Sequence, residues 1–262
     1  MDRIIISKES ANNLTVTKDS YVIINDEVQT NLFEINIIDC NVTIIDMSSC
    51  ENKFYNFKNS QATLIEIINN KDRRTLNIDN DGSNIEYNIV DLCDYDVDYK
   101  IKEQCFKEGQ CNINIACVCY KNKNKKYVVD TGNMTSNTLN EVNCFGIVKD
   151  KSVLNYEVTS LIVNGAKGSV VKQNSNILLF DEKSLGKNNP VLLIEENDVK
   201  ASHGSSIGKI DDETMFYLCS RGLSKKEATN LICLGKVGHL IKKIKDEEIK
   251  ERLVNNFKER MG

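Results

Sequence analysis

Short runs in which apolar and polar residues alternate recur about every ten to twelve residues over the first 200 positions of this chain. Their apolar members are mostly Ile and Val, whose branched side chains favour extended backbone. Because successive side chains of a strand point to opposite faces, each run can bury one face of a sheet. The pattern predicts an all-β core over residues 1–210. The runs are RIIIS, SYVIIN, LFEINII, NVTIID, ATLIEII, NIEYNIV, CNINIACVCY, KKYVVD, FGIVKD, SVLNYEVTSLIV, NILLF and VLLIEEN.

Two all-β architectures fit this spacing, a sandwich and a parallel β-helix in which strands stack into coils. A single sandwich rarely needs about 200 residues. Hairpin turns of the Asn-Gly or Asp-Gly kind are few, Asp81-Gly82 being an exception. The turns are instead rich in Asn, Asp, Ser and Lys, and Pro190 is the only proline. Length and turn chemistry together favour the β-helix.

The pattern changes at residue 211, where apolar residues recur at helical spacing and predict a small C-terminal α-helical domain over 211–262. The pair Asp211 and Asp212 is suited to cap the start of a first helix, which Gly222 is placed to end. Ser224 and Glu227 fit a capping box at the start of a second helix.

A third helix is predicted from about Val237 to Arg260, with an interruption near Asp246. The apolar residues of the second and third helices are expected to form faces that pack against other elements. These residues are Ala228, Leu231, Ile232, Leu234, Leu240, Ile241, Ile244, Ile249, Leu253 and Phe257.

The charge and cysteine content exclude several function classes. A net charge of -4 leaves no basic footprint, so nucleic acid and anionic membranes are not expected as partners. Neither a membrane span nor an export signal is evident, which predicts a cytoplasmic protein whose ten cysteines are thiols. The closest pair, Cys117 and Cys119, has no CxxC spacing, so most cysteines are expected to be small buried hydrophobes.

Two strand segments carry residues that could do chemistry. In CDYDVDYK, the carboxylates of Asp94, Asp96 and Asp98 would share one face. A polysaccharide-cleaving β-helix enzyme could use such a cluster for metal binding or acid-base catalysis. The favoured interpretation is a solvated face, with the alternate residues Tyr95, Val97 and Tyr99 turned inward. In CNINIACVCY, one face combines Ile with Cys and reads as a core ladder. Its members are Cys111, Ile113, Ile115, Cys117 and Cys119.

One of the two histidines, His203, lies in the stretch VKASHGSSIGKIDD, where Gly204 and Gly208 suggest tight backbone bends. This stretch and the following FYLCSRGL resemble the C-terminal hallmark of the SufB/SufD family of SUF iron–sulfur cluster assembly scaffolds. The matching residues are Ser202, His203, Gly204, Gly208, Ile210, Asp211, Phe216, Tyr217, Leu218, Ser220, Arg221, Gly222 and Leu223. Upstream matches in family order are Thr135, Ser136, Asn137, Gln173, Asn176, Leu178 and Leu179.

The resemblance implies a right-handed parallel β-helix followed by a C-terminal helical domain. It implies a non-enzymatic scaffold that acts with the ABC-type ATPase SufC. The ATPase would dock on the helices, for which the candidate residues are Phe216, Tyr217, Arg221 and Leu223. Two β-helix subunits would pair side by side through their C-terminal strands, the second subunit being a SufB-like chain or another copy of this one.

The chain departs from the family pattern in ways that make it SufD-like. Strand-like sequence begins at residue 3, where family members begin with a helical domain, so that domain is expected to be missing. Asn174 replaces the functional cysteine of B-type chains, and Gly204 replaces their glutamate. His203 remains the candidate metal ligand, holding a transient iron–sulfur cluster at a subunit interface with a partner's thiolate.

Cys40 and Cys144 are further thiols that no motif supports as ligands. An alternative to the scaffold is a regulatory or interaction β-helix without cluster chemistry, which the missing domain and Asn174 favour. The polysaccharide enzyme is the weakest hypothesis, because such enzymes are mostly secreted and no export signal is evident.

Overall fold

A computed structural model of the chain describes residues 2–7, 13–69 and 72–261. Seventeen strands precede three helices in this part of the chain. The strands are β1 Asp2–Ile6, β2 Asn13–Val16, β3 Ser20–Ile24, β4 Leu32–Ile38, β5 Asn41–Asp46, β6 Asn52–Lys58, β7 Gln61–Ile68, β8 Asp72–Asp81, β9 Asn84–Asp91, β10 Val97–Cys105, β11 Gln110–Cys119, β12 Asn124–Asn133, β13 Leu139–Val148, β14 Val153–Ile162, β15 Val170–Leu179, β16 Leu185–Ile194 and β17 Lys200–Gly208. The helices are α1 Asp212–Ser220, α2 Lys225–Ile241 and α3 Glu247–Met261.

The strands alternate between two sheets, which confirms the all-β core and the parallel β-helix. Odd-numbered strands form a nine-stranded sheet in the order β1 to β17, and even-numbered strands form an eight-stranded sheet. Strands two apart in sequence pair in parallel, so each coil contributes one strand to each sheet. Four strands were not predicted, namely β2, β6, β8 and β17, because polar residues break their apolar runs.

Side chains that occupy the same register position stack from coil to coil. On the inner face of the eight-stranded sheet, Tyr99, Tyr127 and Tyr156 are register partners whose ring centroids lie 6.3 and 5.7 Å apart. The predicted core ladder of β11 is confirmed, since all five of its members are buried. Each inward side chain is therefore covered by the side chains before it and after it in the same row.

Several turns between coils place Asn, Asp or Lys, residue types that the sequence analysis assigned to the turns, in left-handed backbone. Asn and Asp adopt this conformation at lower cost than most residues. The non-glycine residues with positive φ are Asp39, Asn59, Lys121, Asn122, Asn137, Asp150 and Lys151.

Buried ion pairs occupy the inner corner where odd strands lead into even strands. Lys53 Nζ lies 2.6 Å from Asp46 Oδ2 and 2.9 Å from Glu66 Oε1, and all three side chains are buried. Further along, Lys125 Nζ lies 2.7 Å from Asp91 Oδ1. Each of these buried charges thus has an opposite charge at contact distance, as desolvated charges require.

The helices α2 and α3 pack on the outer face of the nine-stranded sheet. Lys243, just after α2, contacts Glu86 of β9, and Arg3 lies 3.6 Å from Asp246 before α3. The apolar face of these helices shares a core with outward residues of the sheet such as Ile65, Val90 and Ile147. Its buried members are Ala228, Cys233, Val237, Leu240, Ile241, Ile244, Ile249, Leu253, Phe257 and Met261.

Local helix signals were largely correct. Asp211 caps α1 by accepting from Thr214 N at 2.8 Å, Gly222 follows α1 with φ +95°, and the Ser224–Glu227 capping box is present. The break near Asp246 is confirmed. The start of a separate helix at Val237 is wrong, because α2 runs unbroken to Ile241.

Leu231 was also wrongly assigned to the packed face, since its side chain is 53% exposed while that of Leu240 is 1% exposed. The sheet meets only one side of α2, so helical spacing alone did not identify which apolar residues it covers. The domain boundary at residues 210 and 211 stays a prediction: β17 ends at Gly208 and α1 begins at Asp212.

This packing predicts different effects for two leucines of one helix. Leu240→Ala should lower the free energy of unfolding by about 2–5 kcal/mol, because it leaves a cavity between α2 and the sheet. Leu231→Ala on the same helix should change it by at most about 0.5 kcal/mol. Chemical denaturation measures both, and equal effects would contradict the packing.

Candidate functional site

His203 lies in the middle of β17, the last strand of the nine-stranded sheet. The bends suggested by Gly204 and Gly208 are wrong, because both glycines continue this extended strand and neither has a positive φ. This strand is exposed along its length because it forms the edge of the sheet. The histidine is therefore a strand residue at an open edge and not a turn residue.

The register places His203 on the inward row of the coil. It pairs with Gln173 of β15, which pairs with Val142 of β13, which in turn pairs with Ile113 of β11. These three partners are buried, whereas His203 is exposed. Within the described residues the nine-stranded sheet ends at β17, so the inward row ends at its open edge. His203 is thus the last residue of this inward row, at the open end of the β-helix.

The interior beneath His203 is polar. Gln173 donates from Nε2 to Ser160 Oγ at 2.8 Å and to the Val191 carbonyl at 3.0 Å. Thr131 donates to Ser160 Oγ at 2.8 Å. Nearer the N-terminal end the same inward rows carry Ile, Leu and Tyr. In these rows the last coils therefore replace apolar packing with a buried hydrogen-bond network, whereas a neighbouring row stays apolar at Ile177.

Glu103 lies deeper in this polar region, in register with Thr131. Its side chain is fully buried and neither carboxylate oxygen has a hydrogen-bond partner. Burial raises the pKa of Glu103 to about 8, although the nearby Asn140 side chain and Gly132 N–H favour the charged form. The sequence analysis did not identify Glu103, because the sequence alone does not show whether a Glu on a strand faces the interior or the solvent.

Asn174 and His203 lie on opposite faces of the sheet. Asn174 is the register partner of Gly204 and is exposed on the outer face, where its side chain donates to Asn143 at 3.1 Å. It ends a ladder in which Asn143 donates to Asn114, and Asn114 to Asn88. Residue 174 and His203 of one chain therefore face away from each other and are not placed to share a ligand.

A groove of about 360 Å³ separates the Asn ladder from α2. Its floor includes Asn114, Asn143 and Asn174, and its helical wall includes Lys236 and His239. The ladder was not predicted, although an asparagine that recurs one coil apart on successive odd strands is a signal for it.

The cysteines of the chain are poor candidates for accessible ligands. Nine of the ten are buried, and Cys219 on α1 is partly exposed. Burial raises the pKa of the Cys144 thiol to about 12, and it also raises the pKa of Cys40. Neither spare thiol is placed to offer a thiolate at neutral pH.

The three aspartates of CDYDVDYK contact three different partners. Asp94 contacts Lys121, Asp96 accepts from the backbone N–H of Asn124, and Asp98 contacts Arg73. The solvated-face interpretation holds for them, and Val97 and Tyr99 are buried as predicted. The inward placement of Tyr95 is wrong, because the strand begins at Val97 and Tyr95 is exposed.

The helix α1 presents the proposed docking residues to solvent. No residue of α1 is buried, and Phe216 and Tyr217 are 76% and 55% exposed. The Arg221 guanidinium lies 5.3 Å from the centroid of the Tyr217 ring. Leu223, after the helix, is half-buried. Phe216, Tyr217 and Arg221 thus form an exposed aromatic and cationic surface.

Among residues 2–7, 13–69 and 72–261, no three His, Cys, Asp or Glu side chains group closely enough to hold a metal ion. His203 offers a single imidazole, so the described residues do not complete a metal site around it. No helix within the described residues is both long and apolar enough to cross a membrane.

These features define a class of protein: a two-sheet parallel β-helix with an open sheet edge, followed by C-terminal helices of which the first is exposed. Residues 1–236 match the family described as "SUF system FeS cluster assembly, SufBD core domain". The chain belongs to this family, and the resemblance seen in its motifs is confirmed.

Several curated relatives are similar over parts of the chain. The iron-sulfur cluster assembly protein SufD of Bacillus subtilis (strain 168) is 32% identical over 142 residues, covering 50% of this chain and 32% of the relative. SufD of Escherichia coli (strain K12) is 33% identical over 90 residues, covering 34% and 21%. A SufBD family protein of Pyrococcus horikoshii is 37% identical over 110 residues, covering 40% and 25%. The matched segments thus span less than two thirds of each relative.

The buried Glu103 predicts an unusual pH dependence of stability. The folded chain keeps its proton up to a pKa of about 8, whereas the unfolded chain releases it near the ordinary value of 4.5. Between these pH values the folded state binds more protons, so its contribution to the free energy of unfolding falls as pH rises, by at most about 1.4 kcal/mol per unit.

Glu103→Gln should remove this slope, so its stability relative to the unsubstituted chain should increase from pH 5 to pH 9. Denaturant titrations over this range measure the difference. Glu182→Gln, which removes a carboxylate from an exposed turn, is the matched control. Parallel stability curves for Glu103→Gln and the unsubstituted chain would contradict the prediction.

Proposed function

We propose that this chain is a SufD-like scaffold subunit of a SUF-type iron–sulfur cluster assembly complex that acts with a SufC-like ABC ATPase in the cytoplasm. The proposed scaffold is not an enzyme: the cluster is its cargo, held for a time at a subunit interface. The observation that carries the proposal is His203 at the open end of the β-helix of a SufBD family chain.

The edge strands support pairing with a second subunit. An edge strand has unpaired backbone groups that favour pairing with another strand. β16 contains Pro190, whose missing N–H makes that edge less suitable, whereas β17 carries no proline. Exposed apolar side chains lie on both strands, including Leu193 and Ile207. The proposed seam therefore runs along β17, with a SufB-like chain or another copy of this one.

The chemistry of His203 suits a temporary ligand. Iron–sulfur clusters are held mainly by thiolates, with imidazole as a harder alternative ligand. With its thiols buried, this chain would supply the imidazole and the partner subunit the thiolates. A ligand set divided between two chains would come apart when the chains move, which would release the cluster.

The surface of α1 supports docking of the ATPase. Aromatic residues and Arg are over-represented among the residues that dominate binding energy in protein interfaces. Phe216 and Tyr217 expose their rings, and no residue of α1 is fully buried by the rest of the chain. An ATPase bound there would hold the segment that directly follows β17, so its movement could strain the proposed seam.

A regulatory or interaction β-helix without cluster chemistry is the second candidate function. The burial of nine cysteines and the presence of Asn174 favour it. Anaerobic reconstitution with iron and sulfide, alone and with a SufB-like partner, separates the two candidates. A cluster that forms only with the partner supports the scaffold, and its absence in both cases supports the regulatory chain.

The docking proposal predicts the loss of a specific partner. Replacing Phe216 and Tyr217 with Ala should weaken ATPase binding by at least about tenfold without changing thermal stability, because neither ring is buried. Co-purification and binding titrations measure the change. Phe54→Ala, an exposed aromatic on the eight-stranded sheet, is the matched control. Recovery of no ABC ATPase with the unsubstituted chain from its own lysate would reject docking.

The two histidines allow a matched test of the ligand. His203→Ala should reduce the activity of iron–sulfur enzymes in cells that depend on this chain while the variant still folds, because the exposed ring can contribute no more than about 1.5 kcal/mol to the free energy of unfolding. His239→Ala removes the other histidine, which lies on α2, and should leave those activities unchanged. Equal activity in the two variants would count against a ligand role for His203.

A further inference from the structure

Gln173, the inward neighbour of His203, carries a buried acceptor that nothing in the described chain satisfies. Its side chain is 1% exposed, and Oε1 has no hydrogen-bond partner. Its Nε2 donates to Ser160 Oγ and to the Val191 carbonyl. Because a carbonyl oxygen can only accept, the contact with Val191 fixes which end of the amide is the NH₂ group. The atom left over is therefore an acceptor.

His203 is the inward-facing residue of the adjacent strand at the same register position. Register partners of neighbouring strands lie about 5 Å apart and carry their side chains on the same face. The histidine is exposed, so its ring can change rotamer freely, whereas the amide of Gln173 is held by two hydrogen bonds. A movable donor thus neighbours a fixed acceptor, and leaving a buried acceptor unpaired is unfavourable.

We propose that Gln173 is a positioning residue for His203: its Oε1 accepts the ring N–H and so fixes the tautomer and orientation of the imidazole. A neutral imidazole has one N–H and one nitrogen with a free lone pair. With the N–H directed into the interior, the lone pair faces the open end of the β-helix. Partners of this kind commonly orient metal-ligating histidines. The use of this lone pair rests on the proposed function, but the hydrogen bond does not.

The competing occupant of this position is a water molecule, since a polar interior can hold an ordered water that satisfies the amide oxygen. A water would leave the histidine ring unrestrained. The two possibilities therefore differ in the tautomer ratio of His203, which a purely structural role of Gln173 would not change.

Long-range proton–nitrogen NMR of the uniformly ¹⁵N-labelled chain measures this ratio at a pH where imidazole is neutral. The chain has two histidines. His239 serves as an internal reference, because its Nδ1 lies 2.6 Å from the Lys236 carbonyl and must carry the proton there. We expect one His203 tautomer to be favoured by about tenfold relative to the denatured chain. A ratio equal to that of the denatured chain would overturn the proposal.

Gln173→Met keeps the length of the side chain but removes the acceptor, and should return His203 to the denatured-chain ratio. The matched control is Thr131→Val, which removes a hydroxyl from the same buried network but leaves Oε1 in place. It should keep the wild-type ratio even if the melting temperature falls. Gln173→Asn, which shortens the amide, serves if Gln173→Met does not fold. An unchanged ratio in the folded Gln173 variant would also overturn the proposal.

Failure of this proposal is distinguishable from failure of the proposed function. If the tautomer shifts in Gln173→Met but His203→Ala leaves iron–sulfur enzymes active, the hydrogen bond exists and the ligand role fails. If His203→Ala abolishes those activities while Gln173→Met changes neither tautomer nor activity, the ligand role stands without the positioning residue.

Discussion

Parallel in-register stacking is the constraint on which the rest of this structure depends. Each coil presents the same inward positions to the coil beside it, so an inward side chain is buried only where a further coil covers it. This explains why Val142 and Gln173 are buried and His203, in the same row, is exposed. The exposure of the histidine is a consequence of the end of the sheet and requires no local loop or turn.

The same stacking determines what the interior can contain. Ion pairs such as Asp91 with Lys125 are possible because strands that are distant in sequence meet at one inner corner. Toward the open end two inward rows change from apolar side chains to hydroxyl and amide groups, and Glu103 is buried in one of them without a counter-charge. An interior of this composition stabilises the coil less than an apolar one. Its hydroxyl and amide groups are available as hydrogen-bond partners for a group that lies at the open end.

Much of the fold could be predicted from local signals. Alternation of Ile and Val identified most strands, Asn and Asp at the turns indicated the β-helix, and Ser224 with Glu227 located the start of α2. The strands that were missed share one physical reason. β8 buries Arg74 inward, and β17 carries His203 and two glycines at an edge, so neither has the apolar alternation of a covered strand.

The sequence by itself determined the family, the strand and turn chemistry, and the identity of His203 as a residue to test, because these follow from motifs and local propensities. The tertiary structure alone decided which side chains of different strands share a face and a row. It placed Gln173 beneath His203, put Asn174 on the opposite side of the sheet, and left Phe216 and Tyr217 uncovered. These relations depend on register between strands about 30 residues apart, and a shift of one residue would reverse every face.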